Sequence, residues 1–489
     1  MSQAPTGPRY DARSHAANLR ACLSAGTLYV RGDAQFPGSE AEFLEYGRDR
    51  TRVADADFDV LIFPTTTAEV AAIVRYCYEH QLGVTASGGR TGLSGGAMAT
   101  RGEVLLSFRR MDALLEYDPY LPALHMQAGM ITARAQAEAE ERGYLFPLDL
   151  AASGSSQVGG NLATNAGGTR LISLGGLRDY VVGLVVVTGT GEILKFPGHI
   201  LKNNTGFDLC NLFIGSEGCL GLICEASIRL APRPGREATA LLRTSNLQNA
   251  LDCLAELRRQ GLRPLAYEYF DASSLAYVRE HLELPAPFRT DSDGYVVLAW
   301  DEAATDTDRA VEIFAGLSEN DGDRPALLED LRLADNSERA REFWQYREGI
   351  SESLAMLPAA VHKHDISIPA RAMADFVAET RERLARDFPQ VAVVIFGHLG
   401  DGNLHLNFVP TGGVAEFRAV LPALDETVFT RIAAVGGSIS AEHGIGLLKK
   451  KYLHYSRSAE EIRLMRELKQ SFDPRGILNP GKVLPDTDR

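Results

Sequence analysis

Two histidines bracket an Asp-Gly step in this chain, His398 before it and His405 after it. Val391–Phe396 has the length and apolar run of a buried strand, and LHLNFV resumes that pattern after Asp401-Gly402. Asp-Gly is a favoured two-residue hairpin turn of type I′. With 401–402 as the loop, Gly400 faces Asn403, Leu399 faces Leu404 and His398 faces His405. Directly opposed residues share a sheet face, with Cβ atoms about 4.5–5.5 Å apart. Two imidazoles so placed suit one divalent metal, and Asn407 lies on the same face. Glu442-His443, flanked by small residues, is the best source of a third ligand. Two histidines and a carboxylate around Zn²⁺ leave a position open for substrate, the pattern of a catalytic site; Mn²⁺ and Co²⁺ suit the same donors. A hydrogen-bonded cross-strand histidine pair without metal fits the spacing as well. His362 and His364 are rival ligands, but at i,i+2 on a strand they share a face with Ile366 and Ile368 and read as packing residues. Lys363 points the other way, with Asp365 and Ser367. Arg347 and Ser351 stand one turn apart on a helix expected over 337–357, ahead of Pro358.

Phosphate chemistry is the second possibility, because the 46 glycines cluster at 83–102, 154–191 and 206–221 and then thin out until 394. No G-x-G-x-x-G joins a strand to a helix, so a Rossmann nicotinamide site is unsupported. Gly476 to Lys482 satisfies G-x-x-x-x-G-K, but Val483 follows and no helix can receive the phosphate, so it is no P-loop. The loop Gly88-Gly89-Arg90-Thr91-Gly92-Leu93-Ser94-Gly95-Gly96 is different: its backbone N–H groups can approach a pyrophosphate as an anion nest. Gly159-Gly160-Asn161 through Gly167-Gly168 offers small side chains against which a flat ring can lie. Tight turns between strands explain either loop alone; both together, with Gly215-Ser216-Glu217-Gly218, favour a large nucleotide cofactor.

These residues need elements to hold them. Thr67 can cap a helix, AEVAAIVRYCYEHQ, that ends before Gly83, and VTAS then forms a short strand into the 88–96 loop. A second helix follows Thr132, and DYVVGLVVVTGTGEILKF reads as strand, turn and strand. Composition shifts after Ala231-Pro232-Arg233-Pro234-Gly235. Beyond it, amphipathic helices (246–260, 305–317, 337–357) alternate with strands (Tyr295–Trp300, Lys363–Ile368), and the tail from 414 is mostly helical. The expected class is α+β, with boundaries at 1–233, 234–425 and a C-terminal helical segment 426–489. A length of 489 residues agrees, since one core rarely exceeds about 250–300 residues.

The motifs PTTTAEV (64–70), SGGRTGLSGG (87–96), GGNLATNAGG (159–168), IGSEGCLG (214–221), GHLGDGNLHLN (397–407), SAEHGIG (440–446) and DPRGILNPGKVLP (473–485) run in order across almost the whole chain. In them the sequence resembles the FAD-dependent dehydrogenases of the vanillyl-alcohol-oxidase (PCMH) type, in the D-2-hydroxyacid branch with D-lactate and D-2-hydroxyglutarate dehydrogenases. The resemblance implies a bipartite PCMH-type FAD domain and a substrate domain with an antiparallel sheet. For the cofactor it implies Pro64, Ser87, Gly88, Gly89, Arg90, Thr91, Gly92, Leu93, Ser94 and Gly95 from the first stretches. Gly159, Gly160, Asn161, Thr164, Asn165, Gly167, Gly168, Glu217, Gly218, Gly221, Ile223 and Asn479 follow from the later ones. Some relatives tether flavin through a histidine near the first loop; here Arg90 and no histidine stand there, so non-covalent FAD is expected. Relatives use the residues matching His398, His405 and Glu442 as metal ligands. His443 is then the expected base, since histidine titrates in the working range. Arg347, Ser351 and Lys363 are expected to clamp a distal carboxylate, and Asn407 to orient substrate.

The reaction implied is oxidation of a D-2-hydroxyacid by hydride transfer to flavin N5. HKHDISIP (362–369) resembles the D-2-hydroxyglutarate dehydrogenases more than the D-lactate or glycolate branch, which implies D-2-hydroxyglutarate, whose second carboxylate gives Lys363 something to bind. D-lactate is the alternative, with D-malate behind it; a non-redox transferase using FAD as a scaffold and a binding-only protein are readings from other classes. Electrons are expected to pass to electron-transfer flavoprotein or a quinone, and a homodimer is implied. Acidic residues number 64 against 50 basic ones, a net charge of -14 that disfavours nucleic acid and acidic membrane surfaces. No run approaches the ~20 apolar residues of a membrane span. The N-terminus lacks an apolar signal region, and six scattered cysteines without Cys-x-x-Cys suit a reducing compartment, so a cytoplasmic protein is expected. An anionic cofactor and substrate on an anionic protein require local positive charge, expected from the metal, Arg347, Lys363 and the 88–96 amides.

Overall fold

The computed structural model describes residues 9–320, 322, 325–357 and 361–486. They form two compact units. The first takes the described residues of Met1–Gly168, Gly176–Arg233 and Glu442–Arg489; the second takes Thr169–Gly175 and Pro234–Ala441.

In the first unit a four-stranded sheet runs in the order Thr27–Val30, Val60–Phe63, Val104–Ser107, Val84–Ser87. The last three strands are parallel, a helix joining Val60–Phe63 to Val84–Ser87, and two of them, VLIF and VLLS, are buried throughout, as parallel strands are when both faces are covered. The crossover helix Thr67–His80 buries Val70, Ile73, Val74 and Cys77 at helical spacing. Its cap is Thr66, one residue earlier than expected: Thr66 is extended and its side chain accepts from Glu69 N–H, while Thr67 is already helical and donates to Glu225. The helix ends before Gly83 as expected: Gln81 takes the left-handed conformation, and Leu82 N–H returns to Cys77 O. A five-stranded antiparallel sheet follows, ordered Leu114–Asp118, Ala123–Gln127, Gly221–Arg229, Val181–Thr188, Ile193–Lys195. One apolar core joins both sheets, and each large side chain it buries contributes about 1.5–3 kcal/mol.

The second unit is built on a seven-stranded antiparallel sheet, ordered Asp330–Leu333, Glu237–Thr244, Gly294–Asp301, Pro264–Asp271, Val391–His398, Asn403–Pro410, His362–Ser367. Phe270, Tyr295, Val394, Phe396 and Val409 share one face and pack under the helices Ala272–Leu282, Ser337–Glu348 and Ile350–Ala355. The opposite face meets helices that include Leu247–Arg259 and Val414–Ala434, through contacts such as Tyr267 OH to Ala250 O and His364 against Phe429. The single helix expected over 337–357 is interrupted at Gly349, and Pro358 lies outside the described residues. At Gly349 a Cβ would lie 2.6 Å from Leu282 and 2.7 Å from Val278, so only glycine allows so close an approach. Among the described residues no helix is long and apolar enough to cross a membrane, and all six cysteines are free.

Candidate active site

Where the covering helices of the second unit run out, its sheet face turns from apolar to polar. Strand pairing lines up Glu268 with His398, Phe396 with His405, Asp365 with His405 and Lys363 with Asn407, so period-2 alternation puts all these side chains on one face. The hairpin register is not the expected one. Phe396, not His398, stands opposite His405, and four residues, 399–402, make the turn. A type I′ turn needs φ > 0 at both central residues; Gly402 has φ +87°, but Asp401 does not join it. Asp401 N–H instead closes on His398 O, and the Asp401 carboxylate accepts from Asn403 N–H. A displacement of two residues preserves the face. His398 and His405 are therefore diagonal neighbours, with ring centroids 5.3 Å apart at 85°.

Each imidazole is backed by a buried carboxylate. His398 Nδ1 lies 2.7 Å from Glu268 Oε1, and His405 Nδ1 lies 3.6 Å from Asp365 Oδ1. At His398 the carboxylate within hydrogen-bond reach of Nδ1 favours the proton there and leaves Nε2 as the lone-pair donor, the arrangement a metal-binding histidine needs; at His405 the carboxylate stands by as a charge. Burial drives the Glu268 carboxyl up, but the charges of His398 and then Arg347 outweigh it and hold the group below its usual range. Asp365 is pinned by Asn403 Nδ2 (2.6 Å) and by Ala441 N–H (3.2 Å). Neither acid was assigned a role from sequence. The available signal for Glu268 was its place between tyrosines in the strand AYEYFD, where a buried charge demands a partner.

Arg347 reaches this face from the end of its helix. Its Nη2 lies 2.8 Å from Glu268 Oε2, the guanidinium sits 4.7 Å over the Phe396 ring, and its Nε has no hydrogen-bond partner among the described residues. Ser351 lies beyond the Gly349 interruption, in the next helix Ile350–Ala355, and is exposed. Lys363 is exposed and Asn407 is buried, both on the histidine face. Glu442 and His443, half-buried, directly follow Ala441.

In the first unit the 88–96 loop leaves the strand Val84–Ser87. Ser87 Oγ donates to Tyr46 O, and buried Pro64 stands after Val60–Phe63. Among the described residues no N–H from Gly88 to Ser94 is given to a protein acceptor. Gly89 is obligatory, since a Cβ there would lie 2.2 Å from Ser155 O. Arg90 holds φ +59° with its guanidinium 4.6 Å over Tyr46. The stretch from Gly159 is not a turn between strands but a short helix, Val158–Thr164, closed by Asn165 at φ +48°. Asn161 donates to Thr132, Thr164 back-bonds to Gly160 O, and open space lies over Gly160. Glu217 and Asn479 act as joints. Glu217 accepts from the N–H groups of Ile445 (2.7 Å) and Gly446 (2.9 Å), and Asn479 Nδ2 donates to Gly96 O and Glu217 O. Gly221 and Ile223 lie in the strand Gly221–Arg229, just past Gly218 at φ +72°.

A model of FAD-binding domains matches residues 58–197, and a model of the C-terminal domain of FAD-linked oxidases matches 233–483. The chain belongs to the FAD-linked oxidases. A curated D-2-hydroxyglutarate dehydrogenase of Stutzerimonas stutzeri (strain A1501) is 38% identical over 440 residues, covering 90% of this chain and 93% of that one. One from Xanthomonas citri pv. viticola is 40% identical, covering 92% and 94%. The mitochondrial D-2-hydroxyglutarate dehydrogenase of Bos taurus is 40% identical, covering 89% and 79%. Among solved structures, 4-ethylphenol oxidase from Gulosibacter chungangensis superposes with a TM-score of 0.74 at 18% identity, covering 99% of both chains. p-Cresol methylhydroxylase gives 0.71 at 14%, covering 99% of this chain and 98% of its own. Those two likenesses show the fold, which is α+β and of PCMH type. As an FAD-linked oxidase the chain carries FAD, and the unspent amides of 88–94 with the open surface at Gly160 fit such a group. The backed histidine pair fits a divalent metal by the same kind of test.

Proposed function

We propose that this FAD-linked oxidase is a D-2-hydroxyacid dehydrogenase whose substrate is D-2-hydroxyglutarate, oxidised to 2-oxoglutarate. The observation that carries this reading is the polar sheet face, where two backed histidines stand among Arg347, Lys363 and Asn407. When bound, FAD accepts a hydride at N5, and a divalent metal lowers the pKa of a hydroxyl bound to it. His398 and His405 would hold the metal through Nε2, with Glu442 as third ligand. In support, Ala441 N–H is tied to Asp365, which delivers the chain at residue 442 from a fixed point. His443 would take the hydroxyl proton. Lys363 brings an exposed cation to the face, and the uncommitted Arg347 Nε can donate to a carboxylate oxygen. Asn407 would orient substrate, with Ser351 as a further contact. The 38–40% identity to curated D-2-hydroxyglutarate dehydrogenases supports the dicarboxylate over D-lactate or D-malate. Electron-transfer flavoprotein or a quinone as acceptor, a homodimer and a cytoplasmic location belong to the same proposal; free cysteines favour a reducing compartment.

Anaerobic mixing with D-2-hydroxyglutarate should bleach the oxidised flavin spectrum faster than D-lactate or D-malate does. Bleaching fastest with D-lactate would move the substrate assignment, and no bleaching with any D-2-hydroxyacid would end the dehydrogenase reading.

A further inference from the structure

The face of the sheet opposite the histidine pair carries a second cluster of donors. His362 and His364, two apart on the edge strand His362–Ser367, turn toward the helix Val414–Ala434, where Asp425 meets them. His362 Nε2 lies 2.5 Å and His364 Nε2 2.9 Å from the same atom, Asp425 Oδ1, and the two nitrogens are 3.0 Å apart. Three ligand atoms from two elements thus form a nearly equilateral triangle. Its walls are apolar: Phe408 and Phe429 pack against His364 with ring centroids at 5.3 and 4.6 Å. His364 is 3% exposed, whereas the His362 side chain is 28% exposed, which leaves one side open to water.

Hydrogen bonding uses this geometry poorly. If both Nε2 atoms carry protons, two N–H groups crowd onto one oxygen while their nitrogens face each other. If only one does, the other has no proton to give the carboxylate. An ion satisfies all three together. With bonds of about 2.0–2.1 Å, a tetrahedral site separates its ligand atoms by about 3.3 Å, so the triangle needs to open by less than about 1 Å. Burial pushes the Asp425 carboxyl up, but hydrogen bonds from His362 and then His364 outweigh it and hold the group well below the carboxylate range.

We propose that His362, His364 and Asp425 form a divalent-metal site of the Zn²⁺ class, with water in the fourth position on the open side. It fastens the helix Val414–Ala434 to the edge strand. That strand bears Lys363 and Asp365 on its other face, so the ion acts as a positioning element for the polar face and touches no substrate. The inference does not depend on the reading of His398 and His405.

The test counts Zn²⁺ per chain by elemental mass spectrometry in FAD-loaded protein equilibrated with Zn²⁺ and desalted. Asp425→Asn and, separately, His362→Phe should each hold about one ion fewer than the parent chain, while His398→Ala retains that ion. His362→Phe sits at the partly exposed corner and keeps an aromatic ring beside Phe408, so it preserves packing if Asp425→Asn fails to fold. With Co²⁺ in place of Zn²⁺, His398→Ala protein should display tetrahedral-site absorption beyond the flavin bands. Chelation should lower the melting temperature of His398→Ala protein and leave that of His398→Ala/His362→Phe unchanged. An unchanged ion count in both His362→Phe and Asp425→Asn overturns the site, as does an ion lost only with His398→Ala.

Discussion

Glu268 concentrates more of the local chemistry than any histidine it serves. It is 1% exposed and joins His398 to Arg347, one oxygen to each. Substituting Glu268→Gln should release the His398 tautomer and lower metal affinity by about 10–100-fold, measured by competition with a chelator of known strength. An unchanged affinity would mean that the carboxylate holds Arg347 and does nothing for the imidazole. At this scale the sequence was uneven in what it gave away. His398, His405 and Asn407 were readable as one face because alternation survives any even error in register; Lys363 joins them only through the pairing of its strand with Asn403–Pro410. Glu268 was not, because its partners lie 79 and 130 positions away: the pairing of Pro264–Asp271 with Val391–His398 brings up His398, and the helix Ser337–Glu348 brings up Arg347.

Elements were legible wherever a local signal was strong. VTAS, the strands of 181–195 and most amphipathic helices fall where periodicity put them. The misses share a cause: a tertiary contact outranked a local preference. Asp-Gly favours a two-residue turn, yet Gly402 O is taken by Ile368 N–H, which draws the turn toward the edge strand and lengthens it to four residues. Gly402→Ala should therefore cost about 1–2 kcal/mol in denaturant unfolding, since alanine pays for φ > 0 and its Cβ would lie 3.0 Å from Ile368 O. A loss near zero would indicate that the turn relaxes into another type.

For the whole molecule, acid stability is set partly within the first unit. The buried Glu69 carboxylate accepts from the N–H groups of Ser24, Ala25, Gly26 and Thr65. Burial raises its pKa, but those N–H groups and the Ser24 hydroxyl overwhelm that effect and depress it strongly. A depressed folded-state pKa stabilises above the unfolded value of about 4.3, and that stabilisation is lost as pH falls through the folded value. Glu69→Gln should thus cost about 2–4 kcal/mol at pH 7 and flatten the decline of stability below about pH 4.5. An acid limb as steep as the parent's would assign that decline to other carboxylates.

Residues 442–489 return to the first unit and sew themselves in. Leu478 bridges to Val84, Lys469 Nζ reaches Cys219 O, and Glu217 receives Ile445 and Gly446. The flavin-binding body is therefore not a contiguous stretch of gene. A fragment ending at residue 233 should fail to retain FAD on gel filtration, and adding 442–489 as a separate peptide should restore retention in part. In hereditary terms, neither body can be shuffled into another protein by a single exchange, so the two are expected to pass through descent as one indivisible cassette.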